Sequence, residues 1–117
     1  METKTFTRLS AEEVAALLPR EDLRILDSRD EEMFNKEHIA GATRLHTANL
    51  DAIILGTPKQ RPVLIYCYHG NASVQYAKIF ADFGFTEIYD LFGGYEAWRA
   101  YCAAVPATPV LSPTLAI

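Results

Sequence analysis

A chain of 117 residues, half of them hydrophobic and about a tenth aromatic, has the material for one packed domain and too much apolar surface for a disordered one. Its formal charge of −4 argues against electrostatic capture of nucleic acid. Any anion site must therefore be built from local groups, against the overall field.

In chain order, the opening METKTFTRLS has no apolar stretch and no small-residue cleavage site, so no secretory signal is expected. No later run approaches the ~20 apolar residues of a membrane span, and no membrane association is expected. Thr5 to Arg8 is a short strand candidate. Ser10 followed by Glu13 has the form of a capping box, and Val14, Leu17 and Leu18 make the apolar stripe of the helix behind it. Pro19 ends that helix. Arg24 to Asp27 is a short apolar strand, Asp30 to Lys36 a weak helix, and Thr43 to His46 a third strand candidate. Leu50 to Leu55 forms a short helix closed by Gly56 and Pro58.

Pro62 to Tyr66 is the strongest strand in the chain, continuously apolar as strands buried on both faces are. A helix from Asn71 to Phe83 follows, with Tyr76, Ile79, Phe80 and Phe83 on one side and Gly84 at its end. Thr86 to Tyr89 reads as a strand and Tyr95 to Tyr101 as a last helix. Beyond about residue 104 the segment carries prolines at 106, 109 and 113 and no charge, which marks an extended tail. The division is a domain over 1–103 and a proline-rich tail over 104–117. Alternating strands and helices predict an α/β fold on a mostly parallel sheet covered on both faces.

In such sheets, ligands sit outside the carboxyl ends of the strands. The strongest strand ends there in Cys67-Tyr68-His69-Gly70-Asn71-Ala72-Ser73. A cysteine leaves the strand, a short loop with a glycine follows, and a helix begins. The amides of residues 68 to 73 can curl about one point, and the helix start adds its positive end. Cysteines at such positions titrate at roughly 3.5–7.5 in place of about 8.5, and the same cradle accepts an oxyanion. Gly70 supplies backbone freedom, including positive φ. Asn71 or Ser73 can cap the first turn. A free cysteine more often simply packs. The strand–loop–helix placement makes Cys67 a nucleophile candidate, whereas Cys102, near the end of the last helix, keeps the packing reading. Two cysteines make no disulfide framework, and free thiols without a signal point to the cytoplasm. The cysteines with His38, His46 and His69 have no metal-ligand spacing, so no metal is expected.

Three stretches together resemble the rhodanese family: the Cys67–Ser73 loop, the Asp27-x-Arg29 and later His38-Ile39-Ala40-Gly41-Ala42 segment, and Gly93-Gly94 followed by Trp98. The likeness is greatest to its small single-domain bacterial thiosulfate sulfurtransferases, of the glycerol-3-phosphate regulon type. It runs over residues 6 to 102. It implies a five-stranded, mostly parallel sheet with helices on both sides. It implies a persulfide on Cys67, with the amides of Tyr68, His69, Gly70, Asn71, Ala72 and Ser73 holding the sulfur and the substrate oxyanion. Asp27 and Arg29 match positions held to be structural, an ion pair fixing the loop after the second strand. Trp98 reads as an aromatic packed under the last helix. Two-domain thiosulfate enzymes carry basic side chains about this loop, where this chain has Tyr68 and His69. That difference fits a looser, more accessible site.

The implied reaction is a double displacement. It takes a small anionic sulfur donor and a thiol or cyanide acceptor, a thioredoxin-like protein among them, and needs no cofactor. The chain would act as a monomer or homodimer. Three alternatives are weaker. A cysteine phosphatase of similar fold needs an arginine six residues after the cysteine, where this chain has Ser73. A partner-binding or sulfur-relay module would not load its cysteine from thiosulfate alone. A redox-sensing thiol needs Cys102 within reach of Cys67.

Overall fold

The computed structural model describes residues 6–105. Ten elements alternate along the chain: β1 (Thr7–Leu9), α1 (Ala11–Leu17), β2 (Arg24–Asp27), α2 (Glu31–Lys36), β3 (Thr43–Arg44), α3 (Leu50–Gly56), β4 (Val63–Tyr66), α4 (Ala72–Asp82), β5 (Ile88–Leu91) and α5 (Gly94–Ala104). The five strands form one parallel sheet in the order β1-β5-β4-β2-β3. This is the α/β architecture expected.

The sheet has two dry faces because strand side chains alternate. Along β4, Leu64 and Tyr66 join one core with Val14 of α1 and Tyr95 and Trp98 of α5. Val63 and Ile65 join the other with Ile53 and Ile54 of α3 and Ala77 and Phe80 of α4. All four β4 residues are buried, as a central strand with helices on both sides requires. Trp98 thus packs in the core as expected.

Local signals fix several boundaries. The Ser10 hydroxyl accepts from the Glu13 amide while the Glu13 carboxylate accepts from the Ser10 amide, so the capping box starts α1. Gly84, at φ +94, follows α4.

Four expectations need correction. Phe83 does not belong to the inward face of α4. It is 54% exposed, while Ser73, Ala77 and Phe80 form the buried row. The helix ends at Asp82, and Phe85 fills the core position instead, edge-on to Phe80 at 4.9 Å. β5 lies two residues later than the expected 86–89, because the Thr86 amide bonds the Lys59 carbonyl and pairing with β4 begins at Ile88. β3 is confined to Thr43–Arg44 and stops short of His46. α5 begins one residue before Tyr95 and continues to Ala104, so the described chain is still helical where the tail was expected to start; residues 106–117 lie outside the described residues. Among the described residues no helix is long and apolar enough to cross a membrane.

Candidate active site

Cys67 is the first residue past β4, on the carboxyl edge of the sheet, and is 4% exposed. Its Sγ accepts the amides of Gly70 at 3.1 Å and Ser73 at 3.3 Å. These are two of the six amides expected around it. The sulfur forms part of an open pocket of about 270 Å³, which Ser28, Arg29, Asp30, Tyr68, His69, Asn71 and Ala72 complete.

The loop backbone is held from outside. The Cys67 carbonyl accepts the Tyr95 amide at 2.7 Å, and the Tyr68 carbonyl accepts the Glu96 amide at 3.2 Å, both in the first turn of α5. The Gly70 carbonyl accepts Arg8 Nη2 at 2.7 Å. The described peptides are trans, so each places its N–H opposite its C=O. These anchors therefore turn the amides of Tyr68, His69 and Asn71 away from α5 and Arg8. Among the described residues none of the three donates to another backbone group. Oriented, unspent donors of this kind suit an anion.

Two glycines make the arrangement sterically feasible. Gly70 has φ +87, the positive value expected of it, and a Cβ there would lie 2.9 Å from both Arg8 Nη2 and the Gly93 amide. A Cβ on Gly94 would lie 2.4 Å from the carbonyl carbon of Tyr68. Only bare backbone lets α5 approach the loop this closely.

The side-chain capping expected of Asn71 or Ser73 does not occur. Asn71 is the residue before α4, and its side chain makes no cap bond. The Ser73 hydroxyl is fully buried and turned to other partners: it accepts from the Cys67 thiol at 3.3 Å and donates to Asp90 Oδ1. Asp90 Oδ2 in turn accepts Arg8 Nε at 2.7 Å.

Asp27 and Arg29 form a buried bidentate pair, with Arg29 Nη2 to Asp27 Oδ2 at 2.8 Å. Arg29 Nη2 also donates to the Glu37 carbonyl at 2.6 Å, and its guanidinium carbon lies 4.0 Å from the Tyr95 ring centroid. Burial works against the Arg29 charge, but the Asp27 carboxylate outweighs it and holds the guanidinium above its ordinary value. The pair fixes the β2–α2 turn, and Arg29 also reaches the pocket wall beside Asp30. Asp30 accepts from the Tyr68 hydroxyl, which ties the loop to this turn. Cys102 lies on the far part of α5, partly buried against the Val14 and Trp98 core, and no bond joins it to Cys67.

Arg8, Ser28, Asp30 and Asp90 went unrecognised from sequence. Arg8 and Asp90 are 82 positions apart and carry no local spacing signal. Asp90 fell outside the strand expected to end at Tyr89, so its place within β5 gave no cue.

A family model described as rhodanese-like domain matches residues 10–101. Thiosulfate sulfurtransferase GlpE of Coxiella burnetii (strain RSA 331 / Henzerling II) is 38% identical over 96 residues, covering 82% of this chain and 90% of that protein. Thiosulfate sulfurtransferase GlpE of Tolumonas auensis is 38% identical over 94 residues, covering 80% and 89%. The crystal structure of the Alr3790 protein from Anabaena sp. superposes with a TM-score of 0.73 at 25% identity, covering 90% of this chain and 86% of that one.

Proposed function

Since the chain belongs to the rhodanese family, we propose that it is a thiosulfate sulfurtransferase acting through a persulfide on Cys67. The observation that carries this reading is the Cys67 sulfur at an open pocket with two amides already donating to it. Such donors favour negative charge on sulfur.

The Cys67 thiolate attacks the outer sulfur of thiosulfate. A new S–S bond forms, the S–S bond to the inner sulfur breaks, and sulfite leaves with the electron pair. Sulfite is a stable anion and requires no general acid. The unspent amides of Tyr68, His69 and Asn71 are suited to the substrate oxygens, and the Ala72 backbone lies at the start of α4 beside them. Cyanide or the thiolate of a small thiol or thioredoxin-like protein then attacks the outer persulfide sulfur and restores Cys67. The pocket's openness suits an acceptor as large as a protein thiol. Arg29 on the pocket wall is neutralised by Asp27, so this chain relies on amides where basic side chains would hold the donor more tightly. Asp27 and Arg29 serve by holding the turn that walls the pocket. The two free cysteines favour a reducing compartment such as the cytoplasm.

Intact-protein mass spectrometry tests the reading. After thiosulfate the chain is expected to gain one sulfur atom and lose it to cyanide, and Cys67→Ser is expected to do neither. An unmodified chain with a free Cys67 thiol would overturn thiosulfate as the donor.

A further inference from the structure

Behind the sulfur lies a buried carboxylate that sulfur transfer as written above does not use. Asp90 is 0% exposed and lies on β5, between β1 and the central β4, near the sheet edge that carries the site. Its cross-strand neighbours are Arg8 on β1 and the apolar Ile65 on β4. From α4 the Ser73 hydroxyl reaches it. The contacts close into a ring. Cys67 Sγ meets Ser73 Oγ, Ser73 meets Asp90, Asp90 meets Arg8, Arg8 meets the Gly70 carbonyl, and the Gly70 amide returns to Cys67 Sγ.

The Ser73 hydroxyl has one proton to give and two neighbours that accept it. With Asp90 ionised, Ser73 donates to the carboxylate and presents a lone pair to Cys67, which suits a thiol. With Asp90 protonated, Ser73 accepts from the carboxyl and donates to Cys67, which suits a thiolate. We propose that Asp90, through the Ser73 hydroxyl, stores the proton that Cys67 gives up, and that Arg8 positions it to do so.

The step balances within the ring. The Cys67 S–H bond breaks and its proton goes to Ser73 Oγ, while the original Ser73 proton goes to Asp90 Oδ1. One negative charge moves from Asp90 to Cys67, and nothing is oxidised or reduced. The thiol is activated without placing a second negative charge beside an anionic donor. Burial raises the Asp90 carboxyl above the usual carboxylate range, with Ser73 and Arg8 pulling the other way, so the carboxyl is a competent store. Asp90 is a positioning residue, since Ser73 stands between it and the reacting sulfur.

This inference rests on Cys67 being the nucleophile, but its test is independent of the sulfur donor. The experiment is the rate of Cys67 alkylation by iodoacetamide against pH, in a Cys102→Ser background so that one thiol reports. Arg29, held by Asp27, Asp30, bonded to Tyr68, and His69 also face the pocket. All profiles are therefore taken in a His69→Gln background, so that no imidazole adds a step of its own. Two groups sharing one proton titrate in two steps. The parent profile is therefore expected to rise in two steps. In Asp90→Asn the amide donates permanently to Ser73, so one step is expected, displaced to lower pH by more than about one unit. Ser73→Ala cuts the relay but keeps the Asp90 charge near the sulfur, so adding Asp90→Asn is expected to move its profile clearly less than it moves the parent's. Ser73→Ala carries the test if Asp90→Asn does not fold. A single-step parent profile that superimposes on either variant overturns the proposal. Two steps without sulfur uptake from thiosulfate would leave the relay standing and overturn the thiosulfate reading alone.

Discussion

Asp27 and Asp90 are both fully buried, and they lie on β2 and β5, the two strands that flank β4. Each is matched to an arginine, yet they are held in opposite ways. Asp27 receives Arg29 through Nε and Nη2 and also its backbone amide at 2.9 Å, and the arginine is itself 1% exposed. Every lone pair is occupied, and the pair is closed to the sulfur. Asp90 receives one nitrogen of an arginine that is 39% exposed, and spends its other oxygen on Ser73, which touches Cys67. A saturated carboxylate fixes backbone. An unsaturated one remains available to exchange a proton.

Four substitutions or conditions break or sharpen that contrast. The largest effect is expected for Asp27→Ala, which strands a buried guanidinium. A loss of about 3–5 kcal/mol is expected in urea unfolding, as for other buried pairs broken on one side. Arg8→Met is expected to cost less, about 1.5–3 kcal/mol, because it removes charge-assisted hydrogen bonds at a partly exposed site. Its sulfur loading should slow in addition, since the Gly70 carbonyl is released. If both variants lost equal stability, the contrast would fail. Gly94→Ala is expected to lose about 1–2 kcal/mol from its left-handed backbone (φ +64), plus the clash with Tyr68. Persulfide formation should fall with it, because the loop must move.

The smallest effect is a pH dependence that belongs to Asp90. Burial raises its carboxyl above the ordinary 3.8 in the folded state. A raised value means the folded chain holds that proton more tightly than the unfolded one. Its contribution to stability is therefore complete below about 4 and falls as pH rises through the folded value. The stability of Asp90→Asn relative to the parent chain should rise over that interval in paired urea titrations. A constant difference would contradict the shift.

The same contrast explains what could be read from sequence. The Ser10–Glu13 cap and the apolar run of β4 are legible in one stretch of chain, and the Asp27–Arg29 pair, two residues apart, was carried by the Asp-x-Arg motif of the resemblance. Cys67 and Gly70 were legible for the same reason: strand, loop and helix are consecutive. Arg8 and Asp90 meet only through the sheet order, with the first strand laid beside the last. An aspartate read locally belongs outside a strand, which is why β5 was expected to stop at Tyr89 when it runs through Asp90 to Leu91. Phe83 and Phe85 failed similarly. Periodicity continued the helix one residue too far, and the turn at Gly84 let Phe85 take the buried place.

The loop that carries Cys67 is clamped at its carbonyls by Arg8 of β1, which precedes it, and by Tyr95 and Glu96 of α5, which follows it. During synthesis the cysteine therefore emerges before its cradle exists. A nascent or truncated chain that stops short of Gly94 contains the entire Cys67–Ser73 segment but lacks the backbone clamps of α5. The fold in this way delays assembly of the cradle until α5 has been made.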